Sequence, residues 1–215
     1  MNNARNHILS RLRKSPSFDL KPAEQDKLNC LNWNTDKKVN RFTELMKAAH
    51  AEIHDATQDN WLTELQYICR AKHLNNLLFS SNTKWGETIL RQADRFPVLK
   101  NYSQPIAEWK LEMFDGIDAA FTSTYGGIAE TGTLILWPDA HEPRLMSLVP
   151  PVHIALLEKS KVYSTFAEAV EVQDWIKTEL PANILLVSGP SKSADIEQTL
   201  TYGIHGPKEL VVILL

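Results

Sequence analysis

Two stretches of this chain are almost wholly apolar and short enough to be strands: Ile184-Leu185-Leu186-Val187 and Leu210–Leu215. A strand with no polar alternate residue must be covered on both faces. A parallel sheet held between helices meets that condition. Helix-spaced patterns fill the intervals. Thr35 is placed to cap a helix running through Val39, Phe42, Leu45 and Met46. Trp61, Leu62, Leu65 and Ile68 mark a second helix. Thr165 to Lys177 marks a third, with Phe166, Ala169, Val170 and Ile176 on its apolar side. Between them Ala51–Ala56, Leu77-Leu78-Phe79, Asp118–Thr124, Thr133–Trp137 and Val152–Leu157 read as strands. Pro143, after Glu142 and before Arg144, opens a short helix at the position proline favours. Residues 81–110 carry no assignable pattern. The alternation specifies an α/β fold, a three-layer sandwich with a mostly parallel central sheet.

The chain of 215 residues accommodates one large domain with an extension. Ala4, Ile8 and Leu12 recur at helical spacing among basic residues, and Pro16 and Pro22 follow in an irregular stretch. The expected division is therefore an N-terminal helix and connection over residues 1–34 and the main domain over 35–215. A formal net charge of -3, with no basic block after Lys14, argues against nucleic acid as partner. Cys30 and Cys69 form no CxxC, so an iron–sulfur cluster or zinc ribbon held by this chain alone is not expected. Two free thiols suit a reducing cytoplasm. No apolar run approaches the roughly 20 residues of a membrane span, and residues 1–14 lack the core of a signal peptide. His50 and His54 stand four apart, but Glu52 is in the third position, not the second as in H-E-x-x-H, and a structural role is expected.

Three turns carry the chemistry. In Gly189-Pro190-Ser191-Lys192-Ser193-Ala194-Asp195-Ile196-Glu197, Gly189 allows a sharp bend and Ser193 is a plausible helix cap. Asp195 and Glu197 then fall in the first helical turn, and Lys192 restores attraction for an anion. A well-capped helix after a strand explains this segment as well as a binding site does. In Gly126-Gly127-Ile128-Ala129-Glu130-Thr131-Gly132-Thr133, a carboxylate stands between glycines, where it is free to act as base, nucleophile or acceptor. A surface turn with a solvated Glu130 is an equal reading. His205, between Gly203 and Gly206, is accessible, and histidine as a residue type suits proton transfer, although an ordinary turn histidine looks the same. Arg144 could clamp a carboxylate, or pair with Glu142 or Asp139 at the surface.

The strings Gly127-Ile128-Ala129-Glu130-Thr131-Gly132-Thr133, Gly189-Pro190-Ser191 with Ala194-Asp195-Ile196-Glu197, and His205-Gly206-Pro207 occur in order. Together they resemble the lactate utilization protein C family, a branch of the LUD domain group, over residues 35–215. The resemblance implies a fold like that of ribose-5-phosphate isomerase and the coenzyme A transferases. It implies a cytoplasmic multi-protein system that oxidises L-lactate to pyruvate with iron–sulfur partner proteins. This chain would bind no redox cofactor of its own, and would serve as a subunit of an L-lactate-oxidising complex. By analogy with distant relatives of that fold, Glu130 is the first catalytic candidate, with His205 beside it. Tyr125, Gly127, Thr131, Gly132, Thr133, Arg144, Gly189, Ser191, Lys192 and Asp195 are the expected ligand-binding residues. The ligand would be a small organic acid, a nucleotide or a partner's redox centre. Rival readings are an autonomous acyl- or phosphoryl-substrate enzyme using Glu130, and a non-catalytic assembly subunit. Homo-oligomerisation is left open.

Overall fold

The computed structural model describes residues 2–14, 33–103, 105–177, 180–194 and 200–215. The chain divides into two compact units, Met1–Cys30 and Leu31–Leu215. The first contains helix α1 (Asn2–Lys14), where Ala4, Ile8 and Leu12 call for one. The irregular connection expected next lies outside the described residues up to residue 32.

The second unit begins with α2 (Thr35–Ala48), β1 (Glu52–Asp55), α3 (Trp61–Ala71), β2 (Asn76–Phe79), α4 (Lys84–Leu90) and β3 (Val98–Asn101). It continues through α5 (Ile106–Asp115), β4 (Ala119–Ser123), β5 (Gly126–Ile128), β6 (Thr133–Leu136), α6 (Leu145–Leu148) and β7 (Val152–Leu157). β8 (Val162–Tyr163), α7 (Phe166–Val172), β9 (Leu185–Val187), β10 (Lys192–Ala194), β11 (Leu200–Tyr202) and β12 (Glu209–Leu214) complete it. Six strands form one parallel sheet in the order β1-β12-β7-β4-β2-β3. Two of its inner strands, β12 and β7, explain the apolar runs. Val211, Ile213, Ile154 and Leu156 pack with Trp61 and Leu65 of α3 and Trp85 of α4. Leu210, Val212, Leu214, Ala155 and Leu157 pack on the other side with Phe42 and Met46 of α2. Each such side chain removed from water contributes about 1.5–3 kcal/mol, so both faces are anchored.

A second, four-stranded sheet, β8-β5-β6-β9, lies on the α2 side. Here β5 and β6 are antiparallel, β6 and β9 are antiparallel, and β5 and β8 are parallel. Its residues Ala129, Leu134, Leu136 and Val162 join the α2 cluster. Ile128, Ile135 and Tyr163 instead join Ala169 of α7 and Trp175 beyond it.

Several expectations change. Asn34, not Thr35, caps α2, its side chain accepting from Lys37 N at 2.9 Å. Ile184–Val187 is not a doubly buried strand: β9 is an edge of the second sheet, with Leu186 52% exposed. The helix expected from Ser193 is absent at 192–194, which form β10 and pair antiparallel with β11. Asp195 and Glu197 lie outside the described residues. α7 stops at Val172 and Asp174 adopts a left-handed φ of 50°, which leaves Ile176 92% exposed. Pro143 precedes the cap residue Arg144 and does not open α6; its carbonyl instead accepts from Met146 N. Within the unassigned 81–110 stretch lie α4, β3 and the start of α5, which is broken at Trp109.

Candidate functional site

The glycine-rich bend is shaped by backbone packing. β5 and β6 form a tight hairpin, with Ile128 opposite Thr133. Gly132 closes it at φ 60°, and a Cβ there would stand 2.4 Å from Leu45 Cβ. Gly189, at φ 123°, meets the C-cap of the same helix: a Cβ would lie 2.9 Å from Ala49 Cβ. Both bends therefore rest on the last turns of α2, and only glycine meets both demands. Gly127 is similarly confined, its missing Cβ 3.0 Å from Leu157 and 3.2 Å from Phe42.

This packing brings two of the three turns together. Thr131 Oγ1 lies 2.7 Å from Thr133 Oγ1, which lies 2.7 Å from Ser188 Oγ. Glu130 is exposed, and its backbone N donates to Ser164 O at 2.9 Å. Tyr125 stacks on Trp137 with centroids 4.2 Å apart, and its carbonyl accepts from Gln173 Nε2. The third turn joins at Ser191, whose N donates to Pro207 O and whose carbonyl accepts from Gly203 N. Lys192 and His205 are exposed, and so is Arg144. Among the described residues no hydrogen bond or ion pair joins the side chains of Glu130, Arg144, Lys192 and His205. Asp195 cannot be placed with them, because it lies outside the described residues.

The titratable groups that the fold perturbs lie elsewhere. Parallel sheets present ligand sites at the carboxyl ends of their strands. At that end of β4 the Glu142 carboxyl accepts from Ser123 N at 3.0 and 3.1 Å and from Ser123 Oγ at 2.6 Å. Asp139 sets up this approach, its side chain accepting from His141 N and Glu142 N at 2.7 Å. Burial raises the Glu142 pKa, and the bonds from Ser123 offset this only in part. One residue earlier, Thr122 Oγ1 lies 2.8 Å from Nε2 of the buried His153. Burial pushes the His153 pKa down to about 4, so it is neutral at pH 7. Its Nδ1 has no hydrogen-bond partner. Glu142 therefore forms no surface pair with Arg144; it turns inward. The residue pattern gave little sign of this beyond an Asp139 turn between Pro138 and Pro143.

A cleft of about 320 Å³ opens at the opposite, amino end of β1 and β12. His50, Glu52, Pro190, Tyr202, Lys208, Glu209 and Leu210 line it. Lys72 ties Glu52 and Glu209 together at 2.6 and 2.7 Å. His54 lies 2.6 Å from both Glu52 and Glu64. Burial opposes ionisation of Glu52, but the Lys72 and His54 bonds outweigh it and lower its pKa. His50 sits at the helix-to-strand junction with φ 68°, apart from the β1 position of His54. Among the described residues no three His, Cys, Asp or Glu side chains are grouped to hold a metal. Cys69 is a buried free thiol, pushed up to about 12 by burial. No described helix is long and apolar enough to cross a membrane.

Residues 39–215 match the family model described as LUD domain. An uncharacterized protein of Neisseria meningitidis serogroup B is 36% identical, covering 99% of this chain and 93% of its own. Lactate utilization protein C of Bacillus licheniformis is 35% identical, covering 77% of this chain and 82% of its own. Lactate utilization protein C 1 of Bacillus mycoides is 26% identical over 85% of this chain and 83% of its own. A crystal structure of a DUF162 family protein from Deinococcus radiodurans superposes with a TM-score of 0.59 at 20% identity. It covers 85% of this chain and 98% of that one, and at this identity it speaks for the fold alone.

Proposed function

The chain belongs to the LUD domain family, and from that premise we propose that it serves a lactate utilization system. The observation that carries this reading is the run of relatives named lactate utilization protein C, which align along most of the chain. Its finer form is a subunit of a complex that oxidises L-lactate to pyruvate. That oxidation releases two electrons and two protons, and the electrons pass to iron–sulfur partner proteins. This chain supplies substrate contacts and proton handling. Glu130 and His205 are the proton-handling candidates, and Arg144 and Lys192 are the cations available to a carboxylate.

The test is growth of the source organism on L-lactate as sole carbon source. Deletion of the chain abolishes growth and the intact gene restores it; unimpaired growth of the deletion strain overturns the functional reading. Rescue by Glu130→Ala and His205→Ala, each at the wild-type rate, removes those two residues from the site while leaving the reading itself standing. Purification of the tagged chain brings down iron–sulfur proteins, seen by their visible absorbance. Purification of the chain free of them sinks the partnership.

A further inference from the structure

The crevice at the carboxyl end of β4 is lined by Thr122, Ser123, Trp137, Glu142, Pro143 and Ser147. Its free volume is about 10 Å³, room for one water-sized group such as a single ligand oxygen. Ser123 N can only donate to the Glu142 carboxyl, so a proton on that carboxyl must go either to a turned Ser123 Oγ or to an acceptor brought by a ligand. Arg144 follows directly on Pro143, is exposed, and pairs with no described carboxylate. We propose that this crevice is a subsite for a short organic carboxylate, one oxygen of which enters against Glu142 while Arg144 supplies the countercharge.

The chemistry requires Glu142 to be protonated when the anion is bound, because two carboxylates in contact repel. The burial that raises its pKa favours that form. The groups acting on it are few. Asp139 and His141 belong to its own turn, and their charges act in opposite directions. Arg144 begins α6. His153 on β7 stands behind Thr122 and carries no charge above about pH 4. The choice of lactate and pyruvate as probes rests on the functional reading above; the subsite itself rests on the geometry.

Calorimetric titration of the full chain with pyruvate and with L-lactate tests the proposal. Wild-type affinity falls at least roughly tenfold as the pH rises from about 5 to 8, as Glu142 loses its proton. Glu142→Gln mimics the protonated acid, so it binds at every pH and its profile is flat. Arg144→Gln binds at least roughly tenfold more weakly, as loss of a charge-assisted bond requires. The proposal fails if wild-type protein binds neither anion at pH 5, if Glu142→Gln keeps the wild-type pH profile, or if Arg144→Gln binds as tightly as wild type. None of these results touches the growth phenotype, so the subsite and the lactate role fail separately.

Discussion

Glu130 and Glu142 belong to consecutive connections of the same chain, and the fold treats them in opposite ways. Glu130 projects from a bend whose glycines are committed to packing on α2. Its carboxylate remains in water. Glu142 comes from a turn with no glycine, is drawn against Ser123, and is perturbed by burial. A glycine-rich string around a carboxylate looks like a site because glycine permits close approach. In this protein the partner that approaches closely is a helix of the same domain. The carboxylate with unusual acidity is instead the one at the end of a buried parallel strand.

The largest effect that would break this contrast is steric. Gly132→Val forces a side chain onto Leu45 and a branched residue into a left-handed backbone. It is expected to cost about 2–5 kcal/mol in urea denaturation. A cost under about 1 kcal/mol would mean that the bend relaxes freely and its glycine serves something other than packing. Next comes His153. Its folded pKa of about 4 lies below its ordinary 6.5, so the unfolded chain binds more protons between those values. Its contribution is complete above about pH 6.5 and is lost as the pH falls toward 4, amounting to about 3 kcal/mol. His153→Leu flattens that part of the stability profile, measured by melting between pH 4 and 7; an unchanged slope refutes the burial argument.

Glu142 has the opposite sign. Its folded pKa is raised, so its protonated form stabilises the fold and ionisation weakens it as the pH rises past the ordinary carboxyl range. Glu142→Gln therefore melts higher than wild type at pH 8, with the difference vanishing in acid. A lower melting point at pH 8 would show that Ser123 prefers the anion. Thr133→Val removes the hydroxyl between Thr131 and Ser188 and costs about 1 kcal/mol or less, by the same denaturation assay. Glu130→Ala is expected to change stability by less than about 0.5 kcal/mol, so any growth defect it causes reports function and not folding.

The main sheet was readable because its inner strands are dominated by apolar residues, with few polar ones such as His153 and Thr122, and its helices carry their own spacing. β12, β7 and β4 could be placed from Leu210–Leu215, Val152–Leu157 and Asp118–Thr124 within a residue or two. β9 misled, since Leu185–Val187 is as apolar as β12 yet forms a sheet edge; apolar content cannot distinguish an edge from a centre. Ser193 misled for a related reason. A serine after a Gly-Pro bend suits a helix cap, but hydrogen bonding with β11 makes residues 192–194 a strand. β3 was invisible because Val98 and Asn101 are exposed and Lys100 breaks its apolar pattern. The meeting of the 126–133 and 188–191 segments through Thr133 and Ser188 was readable only as the supposition that both bends line one place. Glu142 stayed hidden, because its burial depends on where Ser123 ends its strand.

Leu45 of α2 and Ala49, the residue that caps its C-terminus, sit beneath Gly132 and Gly189 as a single shelf. An enlarged residue at position 49 would jack up the second loop, and a reshaped one at 45 would tilt the first. Relatives of this chain should therefore drift at these four positions in concert, and an engineer wishing to reopen either loop would do better to recut the helix than the loop.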